Sequence, residues 1–267
     1  MLEEFSQELI KEEKSPATRE KYLRDTQRFL DFVGDRELDK NVVLDYKSEL
    51  AKKYKVSSVN SMLASVNAYL SFIERTDCHA KPMKVQKSAF CSEQQELSKE
   101  EYIRLISVAS DRMALIIQTI CGTGIRISEL EYVTVEALEK GETTVCCKGK
   151  TRTVFIVDKL RRKLLAYAKK NKIESGPVFV TRSGQPLNRS NVWKQMKSLC
   201  EKAEVNPMKV YPHNLRHLFA RTFYDVEHDI AKLADILGHS NINTTRVYIV
   251  ETGVEHKKKL EKMKLII

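Results

Sequence analysis

The feature that most constrains the fold of this chain is a loss of hydrophobic periodicity between residues 78 and 96. Before it, apolar side chains recur at helical spacing in the stretches Ser15–Val33, Asn41–Lys53 and Ser57–Glu74. Within it the spacing disappears, and three lysines accompany Pro82, a composition typical of a linker. We therefore predict a helical first domain over residues 1–77, a basic linker over 78–96 and a second domain over 97–267.

The second domain is predicted to combine helices with a small β-hairpin. Its first helix should begin with a capping box, because Ser98 is followed three residues later by Glu101. The alternating stretch Glu142–Asp158, interrupted at Lys148-Gly149-Lys150, is typical of a hairpin. Most other stretches are helical in spacing, and Trp193 is expected in the core. The predicted fold class is mainly α with a small β-hairpin or sheet.

The charge distribution favours a polyanionic partner. The net charge is +10, and residues 1–90 hold 16 Lys and Arg against 15 Asp and Glu, whereas residues 91–267 hold 30 against 21. A basic excess in the second part would suit nucleic acid, although a merely soluble basic protein would show it too. No apolar run approaches the length of a membrane span, so we expect a cytoplasmic protein. The six cysteines lack a CxxC pair, which favours buried free thiols over disulfides or a metal site.

A glycine-containing turn places an arginine at the start of a predicted helix. In Gly122-Thr-Gly-Ile-Arg126 the cation lies beside unpaired backbone N–H groups, which the helix dipole makes unfavourable. A bound phosphate would reverse that penalty. The alternative is a surface arginine paired with Glu129, three residues on and on the same face.

Histidines and a tyrosine recur in the last third of the chain. His213 and Arg216 lie three residues apart on one helix face, whereas His217 is expected to point elsewhere and to be structural. His239 directly follows a glycine that should end a helix. Tyr248 comes nine residues later and is expected on the next short helix.

Taken together, these residues suit phosphoryl transfer to a side-chain hydroxyl without a metal. A tyrosine of pKa about 10 is ionised to about one part in a thousand at neutral pH, so it needs a base or a stabilised phenolate. Guanidinium forks match phosphoryl oxygens, and a lysine on a hairpin tip can protonate a leaving oxygen. The candidate residues are Arg126, Lys148, His213, Arg216, His239 and Tyr248.

The order and local sequences of these motifs resemble those of the tyrosine recombinase (phage-type integrase) family. The resemblance is to its simple two-domain Xer-like members in particular. The resemblance rests on Gly122–Leu130, His213–His217 and Leu237–Tyr248, and it extends to the Ser15-Pro-Ala-Thr opening of the first domain. It implies a helical core-binding domain followed by an α+β catalytic domain. It also implies that neither a metal, another cofactor nor ATP is required.

The resemblance assigns a role to each residue that binds or attacks the phosphate. Tyr248 would attack a DNA phosphate, forming a 3′-phosphotyrosyl link and freeing a 5′-hydroxyl. Arg126 and Arg216 would hold the non-bridging oxygens. Glu129 would support the first arginine.

The remaining implied roles concern protons. Lys148 would protonate the leaving 5′-oxygen, with Lys150 as the alternative hairpin lysine. His213 would act as general base, and His239 would donate a hydrogen bond to the phosphate.

The implied partner is double-stranded DNA with a specific core site. The DNA would be bound by a homo-oligomer, expected to be a tetrameric synapse, or by this chain together with a related recombinase. Strands would be exchanged through a Holliday junction, and the apolar tail Leu260–Ile267 would dock on a neighbouring protomer. A type IB topoisomerase-like enzyme would share the nicking chemistry without exchange. A non-catalytic helix-turn-helix regulator would explain Ile230–Thr245 but leave Arg126 and Lys148 unexplained.

Overall fold

The computed structural model describes residues 1–84, 96–147, 150–181, 183–248 and 261. The side chains of Cys147 and Lys150 lie outside this description, as do most of the predicted linker, the hairpin tip Lys148-Gly149 and nearly all of the predicted tail. The chain divides into two compact units, Met1–Lys87 and Ser88–Ile267. Among the described residues, no helix is long and apolar enough to cross a membrane.

The described part of the first unit is helical, as the periodicity predicts. It consists of α1 (Leu2–Lys11), α2 (Pro16–Val33), α3 (Lys40–Lys53), α4 (Val56–Phe72) and a 3₁₀ turn, Thr76–Cys78. Ser15 caps α2 by accepting the N–H of Thr18, with Pro16 in the first turn, and Gly34 follows its last residue at φ +57°. The apolar faces of α2, α3 and α4 meet in a core that includes Phe29, Val43 and Val66.

The second unit combines helices with a short hairpin. Its helices are α5 (Lys99–Val108), α6 (Asp111–Thr123), α7 (Val135–Lys140), α8 (Asp158–Lys170), α9 (Arg189–Ser198), α10 (Cys200–Ala203), α11 (Pro212–Glu227), α12 (Ile230–Leu237) and α13 (Ile242–Arg246), with 3₁₀ turns at Ile127–Tyr132 and Pro207–Lys209. The capping box is confirmed, because Ser98 Oγ accepts the Glu101 N–H at 3.2 Å and Glu101 Oε2 accepts the Ser98 N–H at 2.9 Å. The central helix α6 buries Ile116, Ile117 and Ile120.

The predicted hairpin is present. Strands β1 (Glu142–Cys147) and β2 (Lys150–Phe155) pair antiparallel, with Glu142 opposite Phe155 and Val145 opposite Arg152. Val145 and Val154 are buried, so their common face of the hairpin points into the core. The fold class predicted from the sequence, mainly α with a small hairpin, is confirmed.

The structure corrects two local predictions. Trp193 is 42% exposed, because the buried face of α9 is formed by Val192 and Met196 and the indole lies one position around the helix. Tyr248 does not lie on the short helix α13, which ends two residues earlier, at Arg246.

Candidate active site

Arg216 is one of the most deeply buried members of the site. Helix α11 begins with Pro212, whose fixed φ suits a first helical position, and presents the Arg216 side chain inward, 1% exposed. Its Nη2 donates to the carbonyl of Leu237 at 2.6 Å, and Nη1 donates to the carbonyl of Gly124. Burial and the charge of Arg126 lower the pKa of Arg216 to about 10, which leaves it charged at neutral pH. The guanidinium therefore joins the segment before Arg126 to the helix end before His239.

Glu129 lies between two guanidinium groups. Its carboxylate accepts the backbone N–H of Arg126 at 2.7 Å and Arg126 Nη1 at 2.9 Å. It also accepts a two-pronged bond from Arg152, at 2.9 and 2.8 Å. Burial alone would raise the pKa of Glu129, but hydrogen bonds from Arg152 and Arg126 outweigh it and hold the pKa at about 2.

The position of Arg126 differs slightly from the prediction. It precedes the 3₁₀ turn Ile127–Tyr132 rather than lying inside the first turn of an α-helix. The predicted alternative, pairing with Glu129, is present. The Arg126 side chain is nevertheless 33% exposed, so pairing leaves part of the side chain open to a ligand.

Arg152 was not among the residues proposed from the sequence. Besides the bonds to Glu129, its Nε donates to the carbonyl of Ile236 at 3.0 Å, and only 10% of its side chain is exposed. Along β2 it shares the inward face with Val154, two residues further on. A charged residue at an inward strand position is the signal that would have identified it.

His239 is held at both ring nitrogens. It follows Gly238, which ends α12 at φ +66°, where a Cβ would lie 2.7 Å from Arg152 Cδ. Its Nε2 lies 3.1 Å from Arg216 Nη2, and its Nδ1 lies 2.9 Å from Thr245 Oγ1. Because a guanidinium only donates, Nε2 accepts and the ring hydrogen sits on Nδ1, facing Thr245. Burial and the charge of Arg216 lower the pKa of His239 to about 4, so the ring is neutral.

Tyr248 lies among histidine rings and is 4% exposed. Its Oη lies 3.4 Å from His213 Nε2, at the long end of hydrogen-bond distance. The ring centroids of His213 and His239 are each 5.5 Å from that of Tyr248. The hydroxyl is therefore beside a group that could accept its proton.

The prediction that His217 points elsewhere is wrong. Its ring centroid is 4.2 Å from that of Tyr248 and 4.9 Å from that of His213. The reason is helical geometry, since residues four apart share a face and His217 is four residues after His213. Burial, then the charges of His213 and Arg216, lower the pKa of His217 to about 4, and the same burial lowers that of His213.

The described residues thus combine cationic groups with a hydroxyl that has an imidazole neighbour. Arg126, Arg152 and Arg216 together outweigh the single charge of Glu129, so the site carries a positive excess suited to a phosphate. Lys148 lies outside the described residues, as does the side chain of Lys150, so neither lysine is placed relative to Tyr248. Among the residues described, no group of His, Cys, Asp and Glu side chains could hold a metal ion.

Solved structures share this fold. A XerA recombinase crystal structure has a TM-score of 0.56 and 24% identity, covering 100% of this chain and 98% of that one. A lambda integrase dimer bound to a COC′ core site has a TM-score of 0.75 and 14% identity. The match covers 94% of this chain and 95% of that one.

Sequence comparison identifies the family. The profile of the phage integrase family matches residues 95–253, and that of the phage integrase N-terminal SAM-like domain matches residues 2–77. Tyrosine recombinase XerA of Thermococcus kodakarensis is 34% identical over 100% of this chain and 96% of its own length. Tyrosine recombinase XerD of Oceanobacillus iheyensis is 26% identical over 88% of this chain and 87% of its own length. The chain belongs to the phage integrase family of tyrosine recombinases.

Proposed function

We propose that this chain is a site-specific recombinase that cuts and rejoins DNA through Tyr248. The phenolic oxygen attacks a backbone phosphate, a 3′-phosphotyrosyl bond forms, and the 5′-oxygen leaves as a hydroxyl. The observation that carries the proposal is the Tyr248 hydroxyl beside His213 Nε2, within a site rich in arginine. Because the phosphotyrosyl link conserves the energy of the broken phosphodiester bond, rejoining needs no ATP.

Arg126 and Arg216 are the proposed ligands of the non-bridging phosphate oxygens. Charge spread over these oxygens in the transition state is stabilised most by cations that are already in place. Arg216 is fixed by the carbonyls of Gly124 and Leu237, and Arg126 by the carboxylate of Glu129. These contacts therefore hold both cations at the site before DNA binds.

His213 is the proposed general base. Its lowered pKa keeps the imidazole neutral at physiological pH, and a neutral ring has a lone pair that can accept the tyrosine proton. The Tyr248 hydroxyl is at hydrogen-bond distance from that ring.

His239 must gain a hydrogen on Nε2 before it can donate a hydrogen bond to the phosphate. Without DNA its Nε2 accepts from Arg216, so that nitrogen carries no hydrogen to give. A bound phosphate would draw the Arg216 guanidinium toward itself and favour protonation of the imidazole by its negative charge. The proposed donor is therefore an Nε2–H that forms on DNA binding, either by protonation of the ring or by a shift of its hydrogen from Nδ1 to Nε2.

Lys148 is proposed to protonate the leaving 5′-oxygen, with Lys150 as the alternative. A 5′-bridging sulfur leaves as a thiolate and does not need that proton. Cleavage lost in Lys148→Ala should therefore return on a sulfur-bridged substrate, while Lys150→Ala should cleave both substrates like the wild type. The reverse pattern would assign the role to Lys150.

The proposed partner is double-stranded DNA with a core site, held by a homo-oligomer or together with a related recombinase. We assign residues 1–77 to core binding, 78–96 to a basic linker and 97–267 to catalysis, with a C-terminal tail exchanged between protomers. Similar folds solved as a lambda integrase dimer on a core site and as a Tn1549 integrase on transposon-end DNA support this assembly. The cytoplasm is the proposed location. A lone protomer that relaxes DNA and forms no junction would instead favour the topoisomerase-like alternative.

Tyr248→Phe tests the assignment of the nucleophile. On a nicked suicide substrate the wild type should accumulate a covalent protein–DNA complex that survives denaturation. Tyr248→Phe should form none while still binding the DNA. Tyr167→Phe, which removes a hydroxyl on α8 beside Phe179, is the matched control and should behave like the wild type. A covalent complex formed by Tyr248→Phe would overturn the assignment.

A further inference from the structure

We infer that Arg152 is a positioning residue. It connects the hairpin that carries the proposed general acid to Arg126, the proposed phosphate ligand, and to His239. This inference rests on the proposed function. Arg152 lies within β2, opposite Val145 and four residues after Lys148 in the sequence, on the hairpin that carries both candidate lysines. Its inward orientation lets its side chain reach Glu129.

The first connection runs to Arg126 through Glu129. Both terminal nitrogens of Arg152 bond the carboxylate in a parallel fork, which fixes orientation as well as distance. Glu129 in turn binds the backbone and side chain of Arg126. A shift of β2 would therefore be transmitted to the guanidinium that is proposed to hold the phosphate.

The second connection runs to His239. The last carbonyls of a helix lack helical partners, and cations stabilise that end. Arg152 Nε binds the carbonyl of Ile236, and Arg216 binds that of Leu237, so both arginines anchor the end of α12. The close approach of Arg152 to Gly238 leaves no room for a side chain there.

Arg152 also makes the net charge around Arg126 and Glu129 positive. Arg126 and Glu129 alone would form a neutral pair, which would weaken the attraction of Arg126 for a phosphate. A second guanidinium on the same carboxylate restores a net positive charge while keeping Glu129 ionised and oriented. Both the fork and the charge thus serve the phosphate site, although Arg152 itself faces Glu129 and Ile236.

The test compares Arg152→Gln, which loses charge and fork, with Arg152→Lys, which keeps the charge. Arg162→Gln, an exposed arginine on α8, controls for the loss of one positive charge. The first measurement is single-turnover cleavage of nicked substrates with a 5′-bridging oxygen or sulfur. Misplacing a catalytic group by about 1 Å can cost about 100-fold, so Arg152→Gln should lose about that much on the oxygen substrate. Part of the loss should return with sulfur, and Arg152→Lys should recover only part of the rate.

The second measurement is hydrogen exchange without DNA. Losing a charged hydrogen bond at the end of α12 should speed exchange of the Gly238 and His239 amides about tenfold in Arg152→Gln, with α8 unchanged. Unchanged exchange at α12, wild-type cleavage by Arg152→Gln, or equal losses on both substrates would overturn the inference. If the wild type forms no covalent complex, the proposed function fails, whereas the exchange result still decides whether Arg152 anchors α12.

Discussion

Replacing Glu129 by Gln should destabilise the second unit, because it removes the carboxylate that holds both Arg126 and Arg152. The side chain is nearly fully buried, and it accepts hydrogen bonds from both guanidinium groups and from a backbone N–H. A glutamine keeps the shape but loses the charge. It also turns an amide donor toward guanidinium groups that can only donate.

The magnitude follows from the pKa of the carboxyl group. The structure lowers the pKa of Glu129 from its usual 4.5 to about 2. Each tenfold change in proton affinity corresponds to about 1.4 kcal/mol, so the ionised form contributes about 3 kcal/mol to folding. This value agrees with the usual cost of breaking a buried ion pair, which is about 3–5 kcal/mol. Because the folded pKa is depressed, this contribution is complete above about pH 4.5 and disappears as pH falls toward 2.

Urea unfolding followed by Trp193 fluorescence measures this loss. Trp193 is the sole tryptophan of the chain and lies on α9, so its signal reports on the second unit. With a slope of about 2–3 kcal/mol per molar urea, the midpoint should fall by about 1 M. Glu131→Gln, at an exposed position of the same 3₁₀ turn, should leave the midpoint unchanged. Equal midpoints for both variants at pH 7 would refute the buried-charge reasoning.

Other predictions follow from single contacts. The folded pKa values of His217 and His239 are lowered to about 4, so the second unit should lose stability as pH falls from about 6.5 to 4. His217→Phe should flatten that dependence in urea midpoints at pH 5 and 7.5, and an unchanged slope would contradict it. Gly238→Ala should lower the melting temperature more than Gly176→Ala; both have positive φ, but only the first would clash with Arg152. DNA affinity should fall steeply between 50 and 200 mM salt, and a flat dependence would argue against phosphate contacts.

The sequence by itself determined the local elements of this protein. Capping at Ser15 and Ser98, the glycine after α12 and the alternation around residues 142–155 each depend on neighbours within a few positions, so they could be predicted without knowing the fold. The residue types and order around Arg126 and Tyr248 were likewise sufficient to indicate a family and a set of candidate roles.

Only the tertiary structure decided which groups hold one another. The fork from Arg152 to Glu129 spans 23 positions, and the bonds from Arg216 reach 92 residues back to Gly124 and 21 forward to Leu237. Such contacts depend on how α6 and α12 pack against α11 and how the hairpin packs against α12, and no local pattern encodes that arrangement. The same packing brings Tyr248 against His217 and fixes His239 with Nε2 as an acceptor. The candidate residues could therefore be chosen from the sequence, whereas their mutual support became visible only once the helices were packed.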